Sequence, residues 1–342
     1  MLHYLKKSLK DYNSFQLDVT ADELIILSEV NEVISEVKRL TADNRNFVIL
    51  GGGSNVLFSA DYNGTVLINR LKGVSAISEL DGDFLINVSS GEDWDAFVQT
   101  AVENGWYGLE NLSLIPGTVG ASPIQNIGAY GQEAGNFIHS VTYLDLLSKE
   151  IITLNNESCR FGYRNSIFKQ ELKGPFFIIS VTFRLQKRFT PVLSYADLAN
   201  RFKGKETSDI SAQEVRNSVI EIRRSKLPDP KEIGNAGSFF KNPEIRLSEF
   251  NVLKEKFPQI PGFIKGDWVK VPAGWLIQET GWRGKRYKNA GTYQNQALVL
   301  INYGSATPEE LIELKNLIKK DVLDKFSLEL EEEVNIIGPD FG

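Results

Sequence analysis

The sequence predicts an α+β protein of two or three domains, and three observations carry that reading. A chain of 342 residues matches two or three units of about 100–200 residues each. Short apolar runs of strand character stand beside segments with clear helical periodicity. The run L-P-D-P at 227–230 breaks regular structure, since neither proline can extend a helix, and it places a domain boundary there.

The first helix is expected over 28–40, with Ser28 as N-cap and Val30, Val33, Ile34, Val37 and Leu40 at helical spacing. Residues 47–50, F-V-I-L, form a short strand that runs directly into three glycines. Strands are expected at 64–69 and 83–89. A helix follows at 94–104, capped by Asp93 and stopped by Gly105, with Trp94, Phe97, Val98, Ala101 and Val102 on one face. From 108 to 135 the chain is glycine-rich with few charges. Strand-like runs return at 141–154 and 176–185. Ser211 and Glu214 make a capping box for a helix ending near Arg224. After the proline break come a strand at 297–302 and a helix opened by Thr307, Pro308 and Glu310, with Leu311, Leu314, Leu317, Ile318 and Phe326 as its buried stripe. The run 327–337 reads as a final strand.

Composition excludes several classes. A net charge of −6 argues against a nucleic-acid binder, which carries a basic face. Basic clusters at Arg223, Arg224 and Lys226, and at Arg283, Lys285, Arg286 and Lys288, suit either solvent or an anionic small molecule. No apolar run approaches the ~20 residues that span a bilayer, and the first ten residues lack the features of a signal peptide. One cysteine, Cys159, builds neither an internal disulfide nor a zinc site, so no metal is expected and a reducing cytoplasm is. Only two histidines, His3 and His139, are present. The usual proton-transfer and thiol chemistries are therefore nearly absent, which points to a borrowed cofactor.

Two glycine runs are candidates for holding it. Gly51, Gly52, Gly53, Ser54 and Asn55, inside V-I-L-G-G-G-S-N-V-L-F, can present successive N–H groups to a phosphate. The run is neither a P-loop nor a dinucleotide fingerprint, and alone it reads equally well as a tight turn. The second, S-L-I-P-G-T-V-G-A-S-P-I-Q-N-I-G-A-Y-G at 113–131, offers Gly117, Gly120, Gly128 and Gly131 with Gln125, Asn126 and Tyr130. A long bare loop of this kind is usually functional. Two cradles suit a dinucleotide. Polar residues also stand where plain structure does not demand them: Ser238 in the glycine-rich turn G-N-A-G-S-F-F-K-N-P (234–243), Arg164 in F-G-Y-R-N-S-I-F-K, Tyr195, and Glu333 at the end of an acidic run. Each alone has a plainer reading, as turn, surface ion pair, packing residue or solvated acid. Their joint occurrence is what suggests function.

Taken in order, G-G-G-S-N-V-L, I-P-G-T-V-G-A-S-P-I-Q-N-I-G-A-Y-G, Y-R-N-S-I-F-K, G-N-A-G-S-F-F-K-N-P and A-G-W-L-I-Q resemble the UDP-N-acetylenolpyruvoylglucosamine reductase (MurB) family over nearly the whole chain. The segment around Tyr195 and the terminus L-E-E-E-V at 330–334 are similar to its longer subtype, which has a substrate-contacting tyrosine loop. The resemblance implies a two-lobed FAD-binding domain of the vanillyl-alcohol-oxidase type and a smaller α/β substrate-binding domain. The expected division is 1–75 for lobe 1, 76–226 for lobe 2 joined by 327–342, and 227–326 for the substrate domain. It further implies noncovalent FAD, NADPH as reductant, a UDP-sugar enolpyruvate as substrate, a monomer, and peptidoglycan-precursor synthesis in the cytoplasm. By motif, Ser238 corresponds to the proton donor, and Arg164 and Glu333 to the pair that stabilises the intermediate. Tyr195, Lys226, Asn242 and Gln296 correspond to nucleotide-sugar contacts. Gly51 to Asn55, Pro116, Gly117, Gly120, Ala121, Gln125, Asn126, Gly128, Ala129 and Tyr130 correspond to the FAD cradle. The stretch 288–297 departs from the family pattern, with Tyr293 where a histidine is often found.

Three alternatives stay open on the residues alone. A flavin-tethering oxidase would have only His3, His139 or Cys159 for the bond. A serine hydrolase lacks both a G-x-S-x-G elbow and a histidine base. A non-catalytic flavin or nucleotide-sugar binder would keep the cradles but have no need of Ser238, Arg164 and Glu333 together.

Overall fold

In the computed structural model, which describes residues 1–170, 172 and 175–340, the first sheet runs in the order Leu2–Ser8, Thr20–Leu27, Tyr62–Asn69, Phe47–Leu50. Tyr62–Asn69 pairs in parallel with both Thr20–Leu27 and Phe47–Leu50. Parallel strands need a crossover, which the helix Val30–Ala42 supplies by burying Val33, Val37 and Leu40 against Ile25, Leu27 and Leu67. Its cap differs from expectation: Glu29, not Ser28, is the N-cap. The Glu32 carboxylate accepts from the backbone N–H groups of Ser28 and Glu29, at 2.8 and 3.1 Å, and so supplies the N3 half of a capping box.

The second sheet is antiparallel throughout, in the order Ile151–Asn155, Ile138–Asp145, Phe176–Leu185, Asp83–Ser89, Val74–Leu80. Trp94–Glu103 lies on it as expected, capped by Asp93, which accepts from the Ala96 N–H at 2.9 Å. Trp94 and Phe97 pack on Phe183 with ring centroids 5.9 and 5.1 Å apart. The glycine-rich stretch 108–135 is not bare. It contains two short 3-10 turns, the start of a third at Ala134–Asn136, and the tiny hairpin Gly128–Ala129/Gln132–Glu133.

Beyond the helix Ala212–Lys226, the chain builds two smaller antiparallel sheets. One orders Gly234–Ser238, Val299–Asn302, Ala290–Thr292 and Arg286–Tyr287; the other orders Glu244–Arg246, Trp268–Lys270 and Phe263–Lys265. Ser238 ends a strand, with a bulge between Asn235 and Ser238, and does not sit in the turn the sequence suggested. The long helix Pro308–Phe326 begins at the expected Thr307 cap. The expected strand at 327–337 shrinks to Asn335–Ile337, which pairs in parallel with Val56–Phe58. The preceding glutamates run along 239–241 through single bonds, Glu333 N–H to the Phe239 carbonyl at 2.8 Å and Lys241 N–H to the Glu331 carbonyl at 2.9 Å. Positions 341 and 342 of the expected C-terminal segment lie outside the described residues.

One apolar core joins the first sheet to the C-terminal third: Leu9, Phe15, Leu24 and Val66 share it with Phe239, Leu276, Leu300 and Ile318. The antiparallel sheet has a core of its own. The glycine cradles lie where these bodies meet.

Candidate active site

Strand Phe47–Leu50 delivers Gly51 to Asn55 against the second glycine run. A Cβ on Gly52 would stand 2.9 Å from the Gly117 Cα, and one on Gly117, whose φ is +121°, would stand 2.9 Å from Ser54 Oγ. Ser54 Oγ donates to the Pro116 carbonyl at 3.1 Å, and Asn55 Nδ2 to Gln125 Oε1 at 2.9 Å. Gly53 has φ +61°, and a Cβ there would collide with the Tyr12 carbonyl oxygen. The glycines thus allow two backbones to touch without intervening side chains.

Two cavities flank this contact and share Thr118 as a wall. One, of about 600 Å3, is mostly apolar, lined by Val48, Ile49, Gly51, Ala121, Ile124 and Phe176. The other, of about 670 Å3, is lined by Gly52, Ser54, Gly117, the cations Lys10, Arg70, Lys72 and Lys231 and the acids Asp11 and Asp93, so cations outnumber acids there. Arg70 donates to the Gly51 carbonyl at 2.9 Å and braces the first cradle. An apolar slot, an adjoining cationic one and a backbone cradle that a Cβ would fill match the parts of a flavin dinucleotide. None of His3, His139 and Cys159 lines either cavity.

Not every expected cradle residue offers its side chain. Asn126 is buried, and its amide is consumed by Glu133 Oε2 at 2.9 Å, the Gly162 carbonyl at 3.0 Å and the Gly135 N–H at 2.7 Å. It ties the loop to the 161–169 segment. Gly120 packs on Ser90, where a Cβ would lie 2.5 Å from the Ser90 Cβ. Gly128 makes room for Arg164, whose Nη2 donates to the Gly128 carbonyl at 2.9 Å.

Arg164 meets Glu333, with Nε 2.8 Å from Oε1 and both side chains largely buried. The contact is between charges and not an aligned hydrogen bond, for Nε–H has no acceptor in good geometry. Burial pushes the Glu333 carboxyl above its usual range, against the pull of Arg164, Lys169 and Lys241. The Glu333 N–H bonds to Phe239, the residue after Ser238. The Ser238 hydroxyl is half-buried, and among the described residues it has no hydrogen-bond partner. Ser238, Arg164 and Glu333, drawn from three distant parts of the chain, are therefore brought together.

Asn242 stands beside this group: its Oδ1 accepts from the Ala273 N–H at 2.9 Å, and its amide neighbours the Tyr163 phenol, whose pKa burial raises. Lys270 Nζ lies 3.3 Å from the Tyr163 ring centroid. A second group forms around Tyr130, which has φ +49° and a phenol pushed by burial up to about 12. Tyr195 meets it edge to face at 5.0 Å, and Lys226, paired with Asp197, lies 5.9 Å from the Tyr195 ring. Gln296 sits against Gly274; the adjoining Asn295 donates to the Ser225 carbonyl at 3.1 Å and ties that turn to Lys226. Arg223 links the groups, because Tyr130 and Arg164 both act on its charge. Sequence reading assigned no role to Arg70, Lys169 or Tyr163, and placed Arg223 only in a basic cluster. Lys169 and Tyr163 lie inside the quoted Y-R-N-S-I-F-K run, which was the available signal.

Residues 229–337 match the family described as UDP-N-acetylenolpyruvoylglucosamine reductase, C-terminal domain, and residues 21–153 match the family described as FAD binding domain. The UDP-N-acetylenolpyruvoylglucosamine reductase of Aliivibrio fischeri is 46% identical over 330 residues, covering 96% of this chain and 93% of that protein. The chain belongs to the UDP-N-acetylenolpyruvoylglucosamine reductase family. The reductase of Flavobacterium johnsoniae is 43% identical over 96% of this chain and 98% of its own length. The solved UDP-N-acetylenolpyruvylglucosamine reductase from Thermus caldophilus superposes with a TM-score of 0.65 at 24% identity, over 98% of both chains. A VAO-type flavoprotein from Myceliophthora thermophila C1 superposes with a TM-score of 0.52 at 12% identity, over 93% of this chain and 73% of that one. This member of the reductase family thus has the α+β, VAO-type flavoprotein fold and carries an FAD-binding domain. Among the described residues, no helix is long and apolar enough to cross a membrane.

Proposed function

We propose that the chain reduces UDP-N-acetylglucosamine enolpyruvate to UDP-N-acetylmuramate with NADPH and noncovalent FAD, as a cytoplasmic monomer in peptidoglycan-precursor synthesis. The observation that carries this is the meeting of Arg164, Glu333 and the free Ser238 hydroxyl beside two glycine cradles. Family membership and the FAD-binding domain support it.

The substrate is an enol ether, CH2=C(OR)–COO−. When bound, FAD supplies hydride taken from NADPH to the terminal carbon. The chain's own residues do the rest. Arg164 binds the substrate carboxylate through its forked donors and holds the negative charge that develops on it, the kind of fixed electrostatic support that is often the largest catalytic contribution. Glu333, whose neutral form burial favours, donates a hydrogen bond to the same charge. Ser238 Oγ gives its proton to the carbon bearing the ether oxygen. Hydride and proton together reduce the double bond and leave the lactyl ether. Tyr195, Lys226 and Gln296 hold the nucleotide sugar, with Asn242 beside the reacting centre. Within the chain we assign 1–75 and 76–226 to the FAD-binding lobes and 227–326 to substrate; the C-terminal strand, expected to join the second lobe, pairs instead with Val56–Phe58 of the first.

The test is direct. The purified protein is expected to be yellow, and to consume one NADPH for each enolpyruvyl UDP-sugar, independently of oxygen. A colourless protein, or NADPH oxidation that needs oxygen and ignores the sugar, would overturn the reading.

A further inference from the structure

The charges around Arg164 include one cation that the proposed reaction does not use. Lys169 lies half-buried on the short helix Ile167–Gln170, five residues beyond Arg164. Its ammonium donates to the Arg164 carbonyl at 3.3 Å. That carbonyl belongs to a residue held at φ +51°, a left-handed conformation that an arginine adopts only when its surroundings impose it. The bond therefore meets the backbone where it most needs restraint.

Lys169 is placed at a cost. Burial first, and then the like charges of Lys241 and Arg164, draw its pKa down, while Glu333 and Glu331 favour its charge. Lys241 is occupied by Glu331 at 2.7 Å. A cation kept in such company is not a solvated surface lysine, and around Glu333 stand Lys169, Arg164, Lys241 and the Tyr163 phenol.

We infer that Lys169 is a positioning residue for the reduction: it holds the Arg164 backbone in its left-handed turn, aims the guanidinium at the substrate carboxylate, and sets a second fixed charge against Glu333. The inference rests on the proposed roles of Arg164 and Glu333.

The experiment compares wild type with Lys169→Met, Lys169→Gln and Lys169→Arg in the FAD-loaded full chain. It measures melting temperature, FAD content, and the two half-reactions separately by anaerobic stopped-flow across pH. Lys169→Met should retain FAD and be reduced by NADPH at a rate within about twofold of wild type. Its reaction with the enolpyruvyl UDP-sugar should slow about 10- to 100-fold, the worth of a charge-assisted hydrogen bond. Removing the ammonium raises the pKa of Glu333, so the alkaline limb of that half-reaction should move to higher pH. Lys169→Arg should restore both rate and limb. Lys169→Gln keeps a donor but no charge, so it should recover rate with the limb still shifted. If the Met variant does not fold, the Gln and Arg variants decide by that limb alone. Equal slowing of both half-reactions, an unmoved pH profile, or failure of Arg to rescue would overturn the role of Lys169. A wild type that ignores the enolpyruvyl sugar would overturn the functional reading, and this inference with it.

Discussion

Arg164 occupies a conformation that costs an L-residue about 1–2 kcal/mol, and it is held there by bonds to its own atoms on two sides: its Nη2 to the Gly128 carbonyl and its carbonyl to Lys169. Strain of this kind persists where a side chain must point in one direction only. Ser238 is the opposite case, a hydroxyl left free. Replacing it with alanine should leave reduction of the flavin by NADPH nearly intact and slow the reaction with the enol ether by ~10²–10⁴-fold. In deuterated water, wild type should place one solvent deuteron on the carbon bearing the ether oxygen. Equal slowing of both half-reactions would make Ser238 structural. Tyr195 is 43% exposed and leans its ring edge on Tyr130, so it can lose its hydroxyl without disturbing the core. Tyr195→Phe should raise KM for the UDP-sugar while flavin reduction stays unchanged, and an unaltered KM removes it from the substrate site.

At the scale of elements, burial explains much of what could be read from the sequence, though the buried strand Thr20–Leu27 also went unread, its run L-I-I-L lacking alternation. The helices Trp94–Glu103, Ala212–Lys226 and Pro308–Phe326 show amphipathic stripes and capping residues, and all three lie where expected. The strands Leu2–Ser8 and Val74–Leu80 went unread because both are sheet edges with mostly exposed side chains, which erases the alternation that marks a strand. In the site, the glycine runs, Ser238, Arg164 and Glu333 were visible as motifs. Arg223 was not, because a buried arginine and a solvated one look alike in a basic cluster. Helix Ala212–Lys226 illustrates this with a second example. Arg216 is 4% exposed and grips Asp95 through two bonds of 2.6 and 3.1 Å. Burial raises the Asp95 pKa, but Arg216, the Leu114 N–H and Arg223 outweigh it and hold the carboxyl below its usual range. A depressed folded pKa contributes stability above the unfolded pKa of Asp95 and loses it as pH falls through the folded value. Arg216→Met should destabilise the protein by about 3–5 kcal/mol at neutral pH and abolish this acid-linked loss. Denaturant melts at pH 7 and pH 3 check both, and a change below about 1 kcal/mol at neutral pH would show the pair to be dispensable.

For the whole molecule, the continuity of the largest core matters most. Phe15 packs on Phe239 with centroids 6.3 Å apart, and the Ser14 and Phe15 carbonyls accept from Asn235 and Asn302. A fragment ending at residue 226 uncovers that surface, so its first sheet should lose amide-exchange protection while the antiparallel sheet, which has its own core, keeps more of it. A folded, flavin-binding fragment would mean that the lobes are independent of the C-terminal third. Acid denaturation of the intact protein should leave all the yellow colour in the supernatant, since no histidine or cysteine stands at either cavity. Colour in the precipitate would point to a covalent tether.

Asn55 donates to the Glu333 carbonyl at 3.2 Å across 278 positions of chain. During synthesis at ~5–20 residues per second, the cradle therefore waits on the order of 15–55 s for its acidic partner. Until then Arg164 has no carboxylate to face, and the first sheet lacks the C-terminal residues that complete its core. Messages broken between these two points yield proteins without the proposed catalytic acid, whatever else they assemble. A chain that stops before Glu333 also lacks Asn335–Ile337, the strand that pairs with Val56–Phe58 and closes the first cradle's far side.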